Sequence, residues 1–113
     1  MTPLVAFVLL LAAPRGDVYV ADARTLVMSG TAVRLEGIAV PPAQSVQGAA
    51  AAEMLRRLVA DKLVTCRMEG AAIGGFTTGA CRADGEDLAM ALVASGHARE
   101  CSGSGAPPDC RAR

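Results

Sequence analysis

The chain has no tryptophan, a single tyrosine, two phenylalanines and a single histidine among its 113 residues. Aromatics amount to 3% of the sequence, and Phe7 falls in an apolar N-terminal run, leaving Tyr19 and Phe76 for the rest. That poverty argues against a surface built to stack nucleic-acid bases. Charge of one sign is also missing: eleven Lys and Arg balance eleven Asp and Glu. Zero net charge gives no long-range pull toward nucleic acid or an anionic membrane, though a local patch can still be charged. No Cys-x-x-Cys occurs, and His97 stands four residues before Cys101, so the tight ligand pairs of a zinc site are lacking. Nothing orders Ser, His and Asp as a hydrolase triad. The glycine-rich stretch 70–79 lacks the Lys-Ser/Thr ending of a phosphate loop and reads as a turn.

What is present is an apolar chain, 52% hydrophobic, with length for one domain. Leu4 to Ala13 is almost continuously apolar. About ten such residues are half of what a bilayer span needs, but they suit the hydrophobic region of a secretory leader. Residues 1–15 are therefore read as a signal peptide, the alternative being a buried first strand or helix. No basic residue precedes the run, and Ala12-Ala13 matches an A-x-A cleavage site only in part. Cys66, Cys81, Cys101 and Cys110 make the even number of a small exported, disulfide-bonded domain. The expected compartment is extracellular or periplasmic.

Strands are expected at Asp17–Ala21, Thr25–Met28 and Thr31–Leu35, the last two joined by Ser29-Gly30 as a hairpin. Val33 and Leu35 then face one side and Arg34 the other. Pro41-Pro42 ends this run. A helix follows over Val46–Ala60, with Met54, Leu55, Leu58 and Val59 at helical spacing and Glu53, Arg56 and Arg57 opposite. Further strands are expected at Leu63–Met68 and Thr77–Ala83 around a glycine-rich turn. Asp84-Gly85 breaks the chain, Asp87 is a good N-cap for a second helix carrying Leu88, Leu92 and Val93, and Gly96 is placed to end it. Beyond Glu100 the Ser-, Gly- and Pro-rich residues read as loop. Cys66 and Cys81 are symmetric about that glycine-rich turn, so a regular hairpin sets them opposite, within disulfide reach. Three pairings are possible; Cys66–Cys81 with Cys101–Cys110 pinning the tail is favoured, all four as structural staples.

Val20-Ala-Asp-Ala-Arg-Thr-Leu-Val27 and Val33-Arg-Leu-Glu-Gly-Ile-Ala-Val-Pro41 resemble the paired signature segments of the staphylococcal nuclease (thermonuclease-like) family. Cys81-Arg-Ala-Asp-Gly-Glu-Asp-Leu88 and Ala91-Leu-Val-Ala-Ser-Gly-His-Ala98 resemble its later strand-to-helix segment. The similarity runs from Asp17 to Glu100. It implies an α+β, mainly β, fold: a five-stranded OB-type barrel with two or three packed helices over residues 16–100, followed by a disulfide-pinned tail at 101–113.

Active members of that family cleave phosphodiesters in DNA and RNA with calcium. The family has Asp-Gly-Asp-Thr in the first segment, Arg-Leu-x-Gly-Ile-Asp-x-Pro-Glu in the second, and a second arginine in an Asp-Arg-Tyr-Gly-Arg hairpin. Here Asp22 and Thr25 match the first motif, but Arg24 stands where a calcium-binding aspartate belongs. Ala39 replaces the other, Pro42 replaces the glutamate taken as general base, and Phe76 falls where the second arginine sits. Arg34 is the only reactive residue retained. Arg24 places a fixed cation where a divalent metal would lie, and like charges repel.

The expectation is a non-hydrolytic binding or structural module without cofactor, with Arg24 and Arg34 flanking a cleft. Asp22 and Glu36 are candidate ion-pair partners, and Thr25 is part of the same candidate groove. Its ligand is expected to be an anionic group, with a protein partner or, by resemblance alone, nucleic acid as the other possibilities. An active metal-dependent nuclease with a rearranged site is the alternative. Glu36 reads as a solvated strand carboxylate and His97 as a surface or capping residue; neither restores the two aspartates.

Overall fold

The computed structural model describes residues 8–13, 17–69 and 76–101. Among the described residues nine strands and two helices follow one another: β1 Val8–Ala13, β2 Val18–Asp22, β3 Thr25–Met28, β4 Thr31–Leu35, β5 Ile38–Ala39, α1 Val46–Val59, β6 Val64–Glu69, β7 Phe76–Ala83, β8 Glu86–Asp87, α2 Leu88–Ala94 and β9 Arg99–Glu100. The described residues are mainly β with two helices, in keeping with the expected mainly β, α+β class. No helix among the described residues is long and apolar enough to cross a membrane.

The main sheet runs β1-β6-β7-β4-β3-β2, with β8 paired to β7. Five of its members, β2, β3, β4, β6 and β7, are the five strands anticipated. β1 is an addition: it pairs antiparallel with β6, from Val8↔Glu69 to Ala13↔Val64. The segment read as a leader thus carries a strand, with Ala13 fully buried. Residues 1–7 and 14–16 of that segment lie outside the described residues, as do the glycine-rich turn 70–75 and the tail 102–113.

The sheet is curled. Laid flat, six strands at about 4.8 Å spacing would hold the outer two about 24 Å apart. Ala13 and Val18 are only five residue steps apart, about 18 Å at full stretch, and β1 approaches β3 across the concave side. Strand alternation fills that side: Leu26, Met28, Val33, Leu35, Val64, Cys66, Cys81 and Ala83 are buried there. Helix α1 packs on β2 and on α2, and α2 packs on β7, adding Leu55, Val59, Leu88 and Leu92 to the same core.

Local chemistry explains the turns. Ser29 (φ 51°) and Gly30 (φ 79°) both lie in the left-handed region, as a two-residue hairpin that matches strand twist requires. Asp84 (φ 48°) and Gly85 (φ 89°) repeat the device between β7 and β8. Asp87 caps α2 by accepting from the Met90 amide at 2.9 Å. Helix α2 ends at Ala94 with Ser95 as its C-cap; beyond it Gly96 (φ 82°) turns the chain, its amide donating to Val93 O at 3.0 Å and the His97 amide to Leu92 O at 2.9 Å. These two bonds satisfy carbonyls that a helix end otherwise leaves unpaired.

Cys66 and Cys81 are direct partners across β6 and β7. They form a disulfide with a Cα–Cα distance of 4.0 Å, and both are buried. The Met28 thioether lies 3.3 Å from the Cys66 sulfur; a disulfide sulfur carries no proton, so this is packing between polarisable atoms. Cys101 is also disulfide-bonded, while Cys110 of the second expected pair lies outside the described residues.

Candidate functional site

A cleft of about 210 Å³ opens where the β2–β3 turn, β4 and the chain leaving β5 converge, lined by Asp22, Ala23, Arg24, Thr25, Arg34, Val40, Pro41 and Ala43. Four of the five residues expected at the groove meet here. The fifth, Glu36, is exposed in the turn between β4 and β5 and is not part of the lining.

Backbone geometry assembles the polar side. The β2–β3 pairing shifts register between Val20 and Asp22, and the Asp22 carboxylate turns back to accept the Arg24 amide at 3.0 Å. This side-chain turn closes the hairpin and presents Arg24 beside Asp22. Ala23, between them, is buried. Thr25 lies directly across from Arg34 on β4, so hydroxyl and guanidinium share one face of the sheet. The Arg24 carbonyl receives the Leu35 amide at 2.7 Å, fixing the turn to the strand that carries Arg34.

The other side comes from the chain after β5. The Arg24 guanidinium donates to the Ile38 carbonyl through Nη1 at 3.0 Å. Val40 and Pro41 follow at once and give the cleft an apolar wall. This wall was not legible beforehand: its residues carry no chemistry of their own and are placed by the path of the chain. The contact from Arg24 to Ile38 O spans fourteen positions, with no sequence signal to announce it.

The lining holds one carboxylate, Asp22, against two guanidinium groups. Calcium takes six to eight oxygen ligands. Here the Asp22 carboxylate already accepts a backbone amide, and the Ile38 carbonyl is engaged by Arg24. Among the described residues no group of three His, Cys, Asp or Glu side chains is placed to hold a metal ion. The residues present therefore do not fit calcium. What the arrangement can do is oppose an anion with two planar donors and a hydroxyl.

The two aromatics outside the N-terminal run also acquire a relationship. Tyr19 pairs with Val27, Val27 with Ala32, and Ala32 with Phe76. These four positions lie in one line of cross-strand register, next to that of Thr25 and Arg34. Tyr19 is 66% exposed. His97 stands apart, with Nδ1 2.8 Å from the Ser95 hydroxyl. Ser95 Oγ also reaches Leu92 O at 3.1 Å, so the pair finishes the end of α2.

Comparison with models of known protein families and with characterised proteins returns no match.

Proposed function

We propose that the chain is an exported, nuclease-like domain of OB type that no longer hydrolyses phosphodiesters and instead binds an anionic group in a metal-free cleft. The single observation that carries this reading is the cleft itself, where Arg24 and Arg34 face one carboxylate and Arg24 takes up the Ile38 carbonyl. The guanidinium supplies positive charge in the place where relatives of the resembled family use calcium. A guanidinium neutralises charge and donates hydrogen bonds, but it cannot carry and deprotonate a water as a metal does.

The OB-type reading draws support from strand order. A β2-β3-β4 meander continues through a parallel β4–β7 pair into the β7–β6 hairpin. Export draws support from the disulfides, which persist in oxidising compartments.

The test is a calorimetric titration with inorganic phosphate in the presence of a chelator. Saturable binding is expected, and Arg24→Ala and Arg34→Ala should each weaken it roughly tenfold or more, because each removes a charge-assisted hydrogen bond. Absence of saturable binding, or indifference to both substitutions, would overturn the assignment.

A further inference from the structure

We propose that Asp22 makes the cleft selective for charge: it takes a carboxylate carrying a short apolar group in preference to a doubly charged phosphate ester. This rests on the cleft being the ligand site.

The lining carries the guanidinium charges of Arg24 and Arg34 less the one carboxylate of Asp22, which leaves a single net positive charge. Backbone contacts hold these groups in place. The Asp22 carboxylate accepts the Arg24 amide at 3.0 Å, so it cannot swing out of the cleft without opening the β2–β3 turn. The Arg24 guanidinium is tied to the wall through Ile38 O at 3.0 Å. Arg34 lies on β4, which is paired on both sides, by β3 and by β7. All three side chains belong to half-buried residues, and there the loss of water counts. The cost of desolvating an ion grows with the square of its charge, so a dianion costs about four times what a monoanion does. Its attraction to a net single positive charge is only about twice as large. The cleft neutralises a monoanion, whereas the second charge of a dianion is left beside the Asp22 carboxylate with nothing to offset it.

The rest of the lining indicates what the monoanion carries. Val40, Pro41 and Ala43 give the cleft an apolar side, and Val40 packs against the core. Val40 and Pro41 are half-buried, so a ligand that covers them gains by removing apolar surface from water. A cleft of about 210 Å³ lies below the range of about 300–1,000 Å³ that suits larger organic ligands, which limits the occupant to a small group. A carboxylate with a few apolar carbons fits these terms. Such a group is presented both by a free short-chain acid and by the C-terminus of a peptide ending in an apolar residue.

The test compares butyrate with propyl phosphate in calorimetric titrations of the full chain at neutral pH, with chelator present. Both ligands carry a propyl group, but the ester is mostly dianionic there, its second pKa being about 6. Butyrate should bind about fivefold more tightly than the ester. Acetate, which has two methylenes fewer, should bind about fivefold more weakly than butyrate. Asp22→Asn keeps an acceptor for the Arg24 amide while removing the charge, so the ester should gain at least about fivefold and the preference should vanish. An acetylated tripeptide ending in valine separates the two sources: tighter binding than butyrate assigns the cleft to a peptide C-terminus, and equal or weaker binding to a free acid. Propyl phosphate binding as tightly as butyrate, or a preference unmoved by Asp22→Asn, would overturn the proposal while leaving the anion site standing. If neither ligand binds, nor inorganic phosphate, the site reading and the selectivity fall together.

Discussion

At Gly48 helix α1 passes so close to the chain leaving β5 that an added Cβ would run into the carbonyl group of Pro42. The same turn is fixed by Ser45, whose hydroxyl donates to Pro42 O at 2.6 Å while accepting from the Gly48 amide at 2.9 Å. Gly48→Ala should therefore destabilise the chain by about 2 kcal/mol, the usual cost of overpacking a rigid contact, as read from the denaturant midpoint. An unchanged midpoint would mean that the helix can move away from Pro42 at no cost. Within the cleft, Asp22, Arg24, Thr25 and Arg34 were legible because they sit in two spaced motifs that a hairpin and its next strand must bring together. Glu36, two residues from Arg34, shares its strand alternation, but the chain turns at Gly37 (φ 82°) and leaves Glu36 in solvent. Val40, Pro41 and Ala43 were not legible as lining, because apolar residues beside prolines read as loop until the path of the chain is known.

Elements with strong local signals are where sequence reading succeeds. Helix α1 begins at Val46 and ends one residue short of the expected Ala60, and α2 lies between Asp87 and Gly96, the cap and stop expected for it. Asp87→Ala should cost about 1 kcal/mol, since it removes an N-cap acceptor; a loss within experimental error would show that α2 is held by packing alone. The hairpin β3–β4 follows from Ser29-Gly30, and Arg34 faces away from buried Val33 and Leu35 as alternation requires. By contrast β5 and β9 are two residues each. Period-two alternation cannot be recognised in so short a run, so neither the strand that closes the cleft nor its partner is anticipated as a separate strand. β1 falls in the run read as a leader. A continuous apolar run suits a leader and a strand equally, and composition alone cannot separate them.

Over the whole molecule, the curled sheet is held by a covalent cross-link and by pairing at its edge. The Cys66–Cys81 disulfide closes a loop of sequence separation 15. Replacing both cysteines by alanine should cost about 3 kcal/mol by chain entropy, with Met28 and the surrounding core losing packing as well. Equal midpoints for the two proteins would contradict a stapling role. Removing residues 1–15 would strip β1 from β6 and expose an unpaired backbone edge beside buried Val64, Cys66 and Met68. The shortened chain should unfold at lower denaturant than the full one, and coincident curves would show that β1 adds nothing to the fold. The proposal for the cleft is that Arg24 takes the place of calcium in a nuclease-like frame and that hydrolysis has been lost. Its most direct test is incubation of the folded protein with labelled single- and double-stranded DNA and with RNA, in parallel with calcium and with chelator. The account predicts intact substrate in every arm; cleavage that appears with calcium and disappears with chelator would contradict it.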